Sequence, residues 1–183
     1  MSRDEIRSCT KLIVSHPMNL VHLFFPLIFC LSCLSTKGQI ASPGAQDHFS
    51  GVNTRGDEAM GFSHEKTAHH FHLFTDGGSI EIASNDAADS ESQKAILDHL
   101  GMIATKFANG DFAIPMFIHD TVPPGIEAMK RLNKRISYAV SNTVGSAEIR
   151  ITTDVTEAIR AVHEFLKFQI TDHQTGDSLE VQK

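Results

Sequence analysis

The sequence predicts an α+β fold, a two-layer sandwich in which helices cover one face of a mostly antiparallel sheet. Two segments alternate apolar and polar residues around a glycine-containing turn, and this pattern predicts two β-hairpins. About three segments repeat apolar residues every three or four positions, which predicts amphipathic helices. Because each hairpin has one apolar face, we expect about three helices to pack on one face of a single sheet.

The first hairpin is predicted in the stretch KTAHHFHLFTDGGSIEIAS, residues 66–84, with its turn at Gly77-Gly78. This turn pairs Leu73 with Ile82. Strand side chains alternate between two faces, so the apolar residues and most of the histidines fall on opposite faces, with His69 on the apolar side. The apolar face carries Phe71, Leu73, Ile80 and Ile82. The second face carries His70, His72, Phe74, Glu81 and Ala83.

Between the hairpins, the sequence predicts a helix, an edge strand and a second helix. The first helix spans 90–108, where apolar residues recur at helical spacing. The apolar segment FAIPMFIH, residues 112–119, is predicted as an edge strand because Pro115 cannot donate to a strand ladder. A proline pair then opens a helix over 123–135.

The second hairpin and a last helix complete the predicted domain. The hairpin turns at 144–146, and its second strand alternates apolar with charged or polar residues. Asp154 and Glu157 have the spacing of a capping box, which predicts the start of a helix that ends near Thr171.

The first 38 residues differ from the rest and predict a secretory signal peptide. Basic residues precede the 15-residue apolar run LVHLFFPLIFCLSCL, and small and polar residues follow it. A membrane-spanning helix needs about 20 residues, so no stable span is expected after cleavage near Gly38. The residues before Cys30 and Cys33 fit a lipoprotein signal poorly. We therefore predict an exported protein, periplasmic or secreted.

Composition divides the remaining chain into three parts. Residues 39–66 are rich in Gly, Ser, Asn and Asp, which predicts a flexible lead-in. A single α+β domain is predicted over 67–173, followed by a frayed polar tail over 174–183.

Charge and cysteine content exclude several classes of function. The chain has 22 acidic and 16 basic residues and no basic patch, so nucleic-acid binding is not expected. All three cysteines lie in the predicted leader, which leaves no disulfide or thiolate metal site for the mature chain. Neither a phosphate-binding glycine loop nor a nucleophile elbow occurs, so an enzyme is not favoured.

Histidines are therefore the candidate site residues. His70 and His72 share one strand face about 7 Å apart, a spacing that suits two imidazoles on one Zn²⁺ or Cu²⁺ ion. Glu81 lies across the predicted hairpin and is a candidate third ligand or orienting group. A solvated strand face is the alternative interpretation of the same pattern.

Three further histidines lie later in the chain. His119 closes the apolar segment before a Pro-Pro-Gly loop. His163 borders the buried stripe of the last helix, where the alternative is a packed core histidine. His173 follows the end of that helix, where the helix dipole favours a protonated ring. If His119 met His163 or His173 and a carboxylate in one pocket, a small hydrolase or lyase would be indicated.

The chain also resembles a family of small exported bacterial proteins of unassigned function. The matching stretches are MGF at 60–62, KTAHHFHL at 66–73, DGGSIEI at 76–82, HLGMIATKFANGDF at 99–112, IHDTVPPG at 118–125, MKRL at 129–132 and HEFLKFQITDHQTGD at 163–177. The resemblance implies no activity. It marks as recurring residues His69, His70, Phe71, His119, His163 and His173, and it gives His72 less weight.

The lead prediction is an exported protein that binds zinc or copper through histidines. The candidate ligands, in order, are His70, then His69 and His72, then His119, His163 and His173. Because neighbouring strand residues point to opposite faces, the strand alone cannot form a complete site. The alternatives are a non-metal interaction module of the cell envelope and a small hydrolase or lyase. A homo-oligomer paired through a sheet edge is also expected as a partner.

Overall fold

The computed structural model describes residues 43–183. The predicted signal peptide (1–38) and the first residues of the lead-in lie outside the described residues. The helices are α1 (Pro43–Met60), α2 (Ser90–Ala108), α3 (Ala113–His119), α4 (Ile126–Arg131) and α5 (Thr156–Asp172). The strands are β1 (Thr67–Phe74), β2 (Gly77–Ser84), β3 (Ser137–Thr143) and β4 (Ser146–Thr152). Short 3₁₀ turns occur at His64–Lys66 and Asn133–Arg135.

The strands form one antiparallel sheet in the order β1-β2-β4-β3, with α2 and α5 packed on its apolar face. The two predicted hairpins are β1–β2 and β3–β4, and β2 pairs with β4 to join them. The predicted α+β class is confirmed, as are the bounds of α2. The core lies between the sheet and these two helices, and it includes Leu73, Ile149, Ile151, Leu100 and Phe165.

The turn of the first hairpin lies at Thr75-Asp76, two residues before the predicted position. Leu73 therefore pairs with Gly78 and not with Ile82. The partner of Leu73 is therefore four residues from the predicted one. Because four is an even number, every side chain of the hairpin keeps its predicted face. His70 and His72 lie on the face away from the helices, as the alternation predicts.

The two glycines after this turn allow close packing, and Gly77 also has a positive φ of 142° that favours glycine. A Cβ atom on Gly77 would lie 2.2 Å from the carbonyl oxygen of Ile151, on the neighbouring strand. A Cβ atom on Gly78 would lie 2.2 Å from Cδ1 of Leu166, on α5. Both positions require glycine because backbone and helix approach the strand too closely for a side chain.

The segment predicted as an edge strand is the helix α3. Pro115 is the third residue of this helix, and a first-turn residue has no intrahelical hydrogen bond to lose. Proline therefore fits the start of a helix as well as a strand edge. The prediction of a strand over 112–119 was wrong because a short apolar run has no periodicity that distinguishes a helix from a strand.

Much of the predicted flexible lead-in is the helix α1. Its Val52 side chain is fully buried, and Arg55 Nε donates to the carbonyl oxygen of Ile118 at 2.8 Å, which ties α1 to α3. The sequence of α1 is polar and contains glycine, so propensity alone does not predict a helix. Tertiary contacts stabilise it, as they do most helices in folded proteins.

The C-terminal residues lie along β1, where the sequence predicts a frayed tail. Asp177 accepts hydrogen bonds from the backbone N–H of Phe71 at 2.9 Å and from Nδ1 of His70 at 3.0 Å. The N–H of Gln182 donates to the carbonyl oxygen of Leu73. The tail thus covers part of one sheet edge. The other edge, β3, is largely exposed, and pairing of a second copy there stays a prediction.

Two further details complete the fold. The predicted capping box at the start of α5 does not form: the side chain of Asp154 binds Arg135, and Thr153 Oγ1 accepts from the N–H of Val155. Within residues 43–183, no helix is both long and apolar enough to cross a membrane.

Candidate functional site

Three of the six predicted site histidines come together beside α1. His69 from β1, His119 from α3 and His173 after α5 line an inner cavity of about 70 Å³. A second, wider hollow of about 230 Å³ shares His69 and His173 with it, and we call it the outer hollow because most of its lining residues are only half-buried. The polar side chains of the inner cavity are His69, His99, His119, Gln169 and His173, and the remaining lining is apolar apart from Gly56.

His119 is completely buried and uses both ring nitrogens. Its Nδ1 lies 2.5 Å from Oδ2 of Asp172, and its Nε2 lies 2.9 Å from the amide oxygen of Gln169. Both ring nitrogens of His119 are therefore engaged in hydrogen bonds. The other oxygen of Asp172 accepts from His48 Nε2 at 2.8 Å.

Asp172 stays ionised in this arrangement. Burial raises the pKa of its carboxyl, but the hydrogen bonds from His119 and His48 outweigh burial and hold the pKa below its ordinary value. His48 belongs to α1, so the same carboxylate fixes the buried imidazole and ties α1 to the end of α5.

His69 and His173 form a parallel stack at the boundary of the two hollows. Their ring centroids are 5.7 Å apart with an interplanar angle of 2°, and the His173 ring meets His119 edge-on at 4.9 Å. Burial lowers the pKa of His69 to about 4 and that of His173 to about 3. Both rings are therefore neutral near pH 7. The sequence favoured a protonated His173, but burial at this helix end outweighs the dipole.

Two residues that line the inner cavity each have a buried polar atom without a hydrogen-bond partner among the described residues: Nε2 of Gln169 and Nδ1 of His99. Gln169 is 4% exposed and His99 is 8% exposed. Buried polar atoms are rarely left unpaired, because each such atom destabilises the fold by about 1–3 kcal/mol. Within residues 43–183, two other side-chain atoms are buried without a hydrogen-bond partner, Ser79 Oγ and Tyr138 Oη. Neither residue lines a hollow.

The hollows are free of formally charged groups other than histidine. Among residues 43–183, no Lys, Arg, Asp or Glu lines either one. His64 and His70 line the outer hollow, and each is hydrogen-bonded to a carboxylate, Asp57 and Asp177 respectively. These carboxylates orient the two rings and do not themselves line the hollows.

Gly56 leaves space at the point where the two hollows meet. It lies inside α1, and its φ is not in the left-handed region. A Cβ atom there would meet only Cε of Met60, at the ordinary distance of 3.5 Å. A glycine inside a helix destabilises it by about 1 kcal/mol relative to alanine. Neither backbone geometry nor a close contact at Cβ requires this residue, and its missing side chain enlarges both hollows.

The other three predicted site histidines lie apart from the cavity or only at its edge. His163 Nε2 donates to the carbonyl oxygens of Phe74 and Gly77, 2.8 and 3.0 Å away, and so closes the β1–β2 turn. His72 lies 4.0 Å from Glu81 on the open sheet face. His70 faces the outer hollow while bonded to the C-terminal tail.

The predicted zinc or copper site is not supported by a formed ligand set. Nowhere in the described part of the chain do three or more His, Cys, Asp or Glu side chains form a group that could hold a metal ion. His119 has no nitrogen left for a metal, because Asp172 and Gln169 bind both. Metal binding therefore stays a prediction from histidine density.

Sequence reasoning missed Gln169, His99 and Asp172 as site residues. Gln169 was predictable in principle, because it interrupts the apolar stripe of the last helix at the spacing of Val162 and Phe165. Asp172 reads in the sequence as a capping residue near a glycine turn, and nothing local indicates its partner on α3. Such pairs become visible only when the elements meet in space.

Replacing His99 by phenylalanine is expected to raise the free energy of unfolding by about 1 kcal/mol. The ring keeps its edge-on contact with Phe62, at 5.6 Å between centroids, while the unpaired Nδ1 is removed. Urea unfolding at pH 7 measures the difference. A loss of stability would show that His99 has a hydrogen-bond partner in solution.

Comparisons of this chain with protein-family models, with curated proteins and with solved structures find no match. The resemblance to small exported bacterial proteins stays a prediction. Function is accordingly inferred from the contacts of residues 43–183.

Proposed function

We propose that this protein binds a small molecule in the inner cavity, with the outer hollow as its entrance. The observation that carries this proposal is a mostly apolar cavity whose lining includes Gln169 and His99, two residues that each have a buried polar atom without a partner among the described residues. Small-molecule sites in proteins combine an apolar lining with a few well-placed polar groups in the same way. Export to the periplasm or medium is part of the proposal and rests on the predicted leader.

Binding is better supported than acid–base catalysis. The hydrolase or lyase alternative requires His119 to meet His163 or His173 and a carboxylate, and His119 lies beside both His173, at 4.9 Å between ring centroids, and Asp172. Both nitrogens of His119 are already bonded, however, so it has none free for a substrate proton. His69 and His173 have pKa values of about 4 and 3, well below the neutral range in which a general base works best. Neutral rings of this kind serve to donate and accept hydrogen bonds.

Substitution of Gly56 by leucine is expected to abolish ligand binding without loss of stability. The added side chain enters the space shared by both hollows, and removal of a helical glycine favours α1. The probe is butan-1-ol, titrated while the methyl resonances of Ile80, Ile82, Leu100 and Ile103 are followed by NMR. For the natural sequence we expect a Kd of about millimolar, within the ceiling of roughly 1.5 kcal/mol per heavy atom.

Gly101→Leu is the matched control. Gly101 is also a helical glycine, on α2, and a Cβ atom there meets nothing within 4 Å. It lines neither hollow, so this variant is expected to bind the probe like the natural sequence. If neither butan-1-ol nor its charged four-carbon analogues bind in a Gly56-dependent way, the proposed function is wrong. Calorimetry with Zn²⁺ and Cu²⁺ on the same samples tests the metal prediction separately.

A further inference from the structure

We propose that the ligand is a short, uncharged aliphatic molecule that carries an oxygen atom, an alcohol or a carbonyl compound. This inference rests on the proposed function and specifies the chemical class that the same cavity selects. Three features carry it: the unpartnered polar atoms of two lining residues, the lack of counter-charge in the lining, and the size of the cavity.

The unpartnered atoms define the polar part of the ligand. With its amide oxygen bonded to His119, Gln169 is left with Nε2, an amide donor that pairs with an acceptor such as a hydroxyl or carbonyl oxygen. His99 Nδ1 donates or accepts according to the tautomer of the ring. A hydroxyl group can meet both requirements, because its oxygen accepts while its proton donates. A hydrocarbon of the same length would leave both protein atoms unpaired.

The lack of counter-charge disfavours ionised ligands. A carboxylate or ammonium group would lose its hydration on entry and would find no Lys, Arg, Asp or Glu among the described lining residues. Both ring nitrogens of His119 are already bound, to Asp172 at 2.5 Å and to Gln169 at 2.9 Å, so this ring offers no free group to an ionised ligand. His69 and His173 are neutral and cannot replace a counter-ion.

The size of the cavity limits the apolar part. Its volume is about 70 Å³, roughly half that of an engineered protein cavity of about 150 Å³ that accepts benzene. A short aliphatic chain therefore fits and an aromatic ring does not. The outer hollow offers further space beyond the His69–His173 stack, so a substituent on the ligand can extend towards solvent.

A matched four-carbon series tests the inference on the full exported chain. Butan-1-ol, butanoate and butan-1-amine share one chain and differ in the terminal group. By NMR titration at pH 7, we expect butan-1-ol to bind at least ten times more tightly than either ion. Gln169→Met is expected to weaken butan-1-ol binding about fivefold, the effect of one neutral hydrogen bond. Gln93→Met, on α2 and away from both hollows, is the control and should have no effect.

His99→Phe is a second test that does not depend on correct folding of the Gln169 variant, because it keeps the ring shape and is expected to be stable. It should also weaken butan-1-ol binding several-fold. If butanoate or butan-1-amine binds as tightly as the alcohol in a Gly56-dependent way, the cavity binds ligands but the chemical class is wrong. Unchanged affinity for butan-1-ol in both Gln169→Met and His99→Phe would overturn the inference in the same way.

Discussion

Acidification from about pH 7 to about pH 5 is expected to lower the free energy of unfolding by up to about 6 kcal/mol. This loss of stability comes from three buried histidines, His69, His99 and His173. Burial lowers their pKa values from 6.5 to about 4, 4 and 3 respectively. In the unfolded chain the same rings bind protons below pH 6.5, while in the folded chain they stay neutral.

The sign follows from proton uptake. Between the unfolded pKa of 6.5 and the folded values, the unfolded state binds more protons, so stability falls as the pH falls. Each histidine contributes about 2 kcal/mol at pH 5, and a domain of this size has about 5–15 kcal/mol in total. Asp172 and Asp177 also have lowered pKa values, but their contribution is lost only as the pH falls through about 4 and below.

Urea unfolding at pH 7, 6 and 5 measures this dependence. His99→Phe removes one of the three rings and should reduce the loss between pH 7 and 5 by about 2 kcal/mol. His72→Gln, on the open face of the sheet, is the matched control and should keep the pH dependence of the natural sequence. Equal stability of the natural protein at pH 7 and pH 5 would show that these rings bind protons in the folded state.

Local patterns predicted the sheet and α2 but not all of the helices. Alternation fixed the faces of β1 correctly even though the turn was misplaced, because an even shift of register keeps each side chain on its face. For α1 and α3 the local signal was absent or ambiguous. The contact of Val52 with the domain and the hydrogen bond from Arg55 to α3 decide the structure of α1, and neither can be seen in its own sequence.

The site was predicted in part. His69, His119 and His173 were among the candidate residues, but the HxH spacing gave priority to His70 and His72, which lie outside the inner cavity. Spacing along a strand reports only which residues share a face. The cavity instead combines residues from β1, α2, α3 and α5, and its composition depends on how those elements pack.

Replacement of Asp172 by alanine is expected to lower the free energy of unfolding by about 1–3 kcal/mol, the usual effect of leaving a buried polar group without its partner. His119 is fully buried and would keep its imidazole without the carboxylate that binds its Nδ1. The variant would also release His48 and with it one tether of α1. Hydrogen exchange of the α1 amides should therefore become faster along with the loss of stability.

The variant His48→Gln separates the two contacts of Asp172, because it removes the contact with α1 and keeps the contact with His119. The side chain of His48 is 46% exposed, and loss of an exposed pair usually changes stability by about 1 kcal/mol or less. We expect this variant to speed exchange in α1 while the cavity and the His119–Asp172 pair stay intact. Asp172→Asn keeps an acceptor for His119, so its loss of stability should lie between those of Asp172→Ala and His48→Gln. If Asp172→Ala destabilised the protein no more than His48→Gln, the hydrogen bond between Asp172 and His119 would have no structural role.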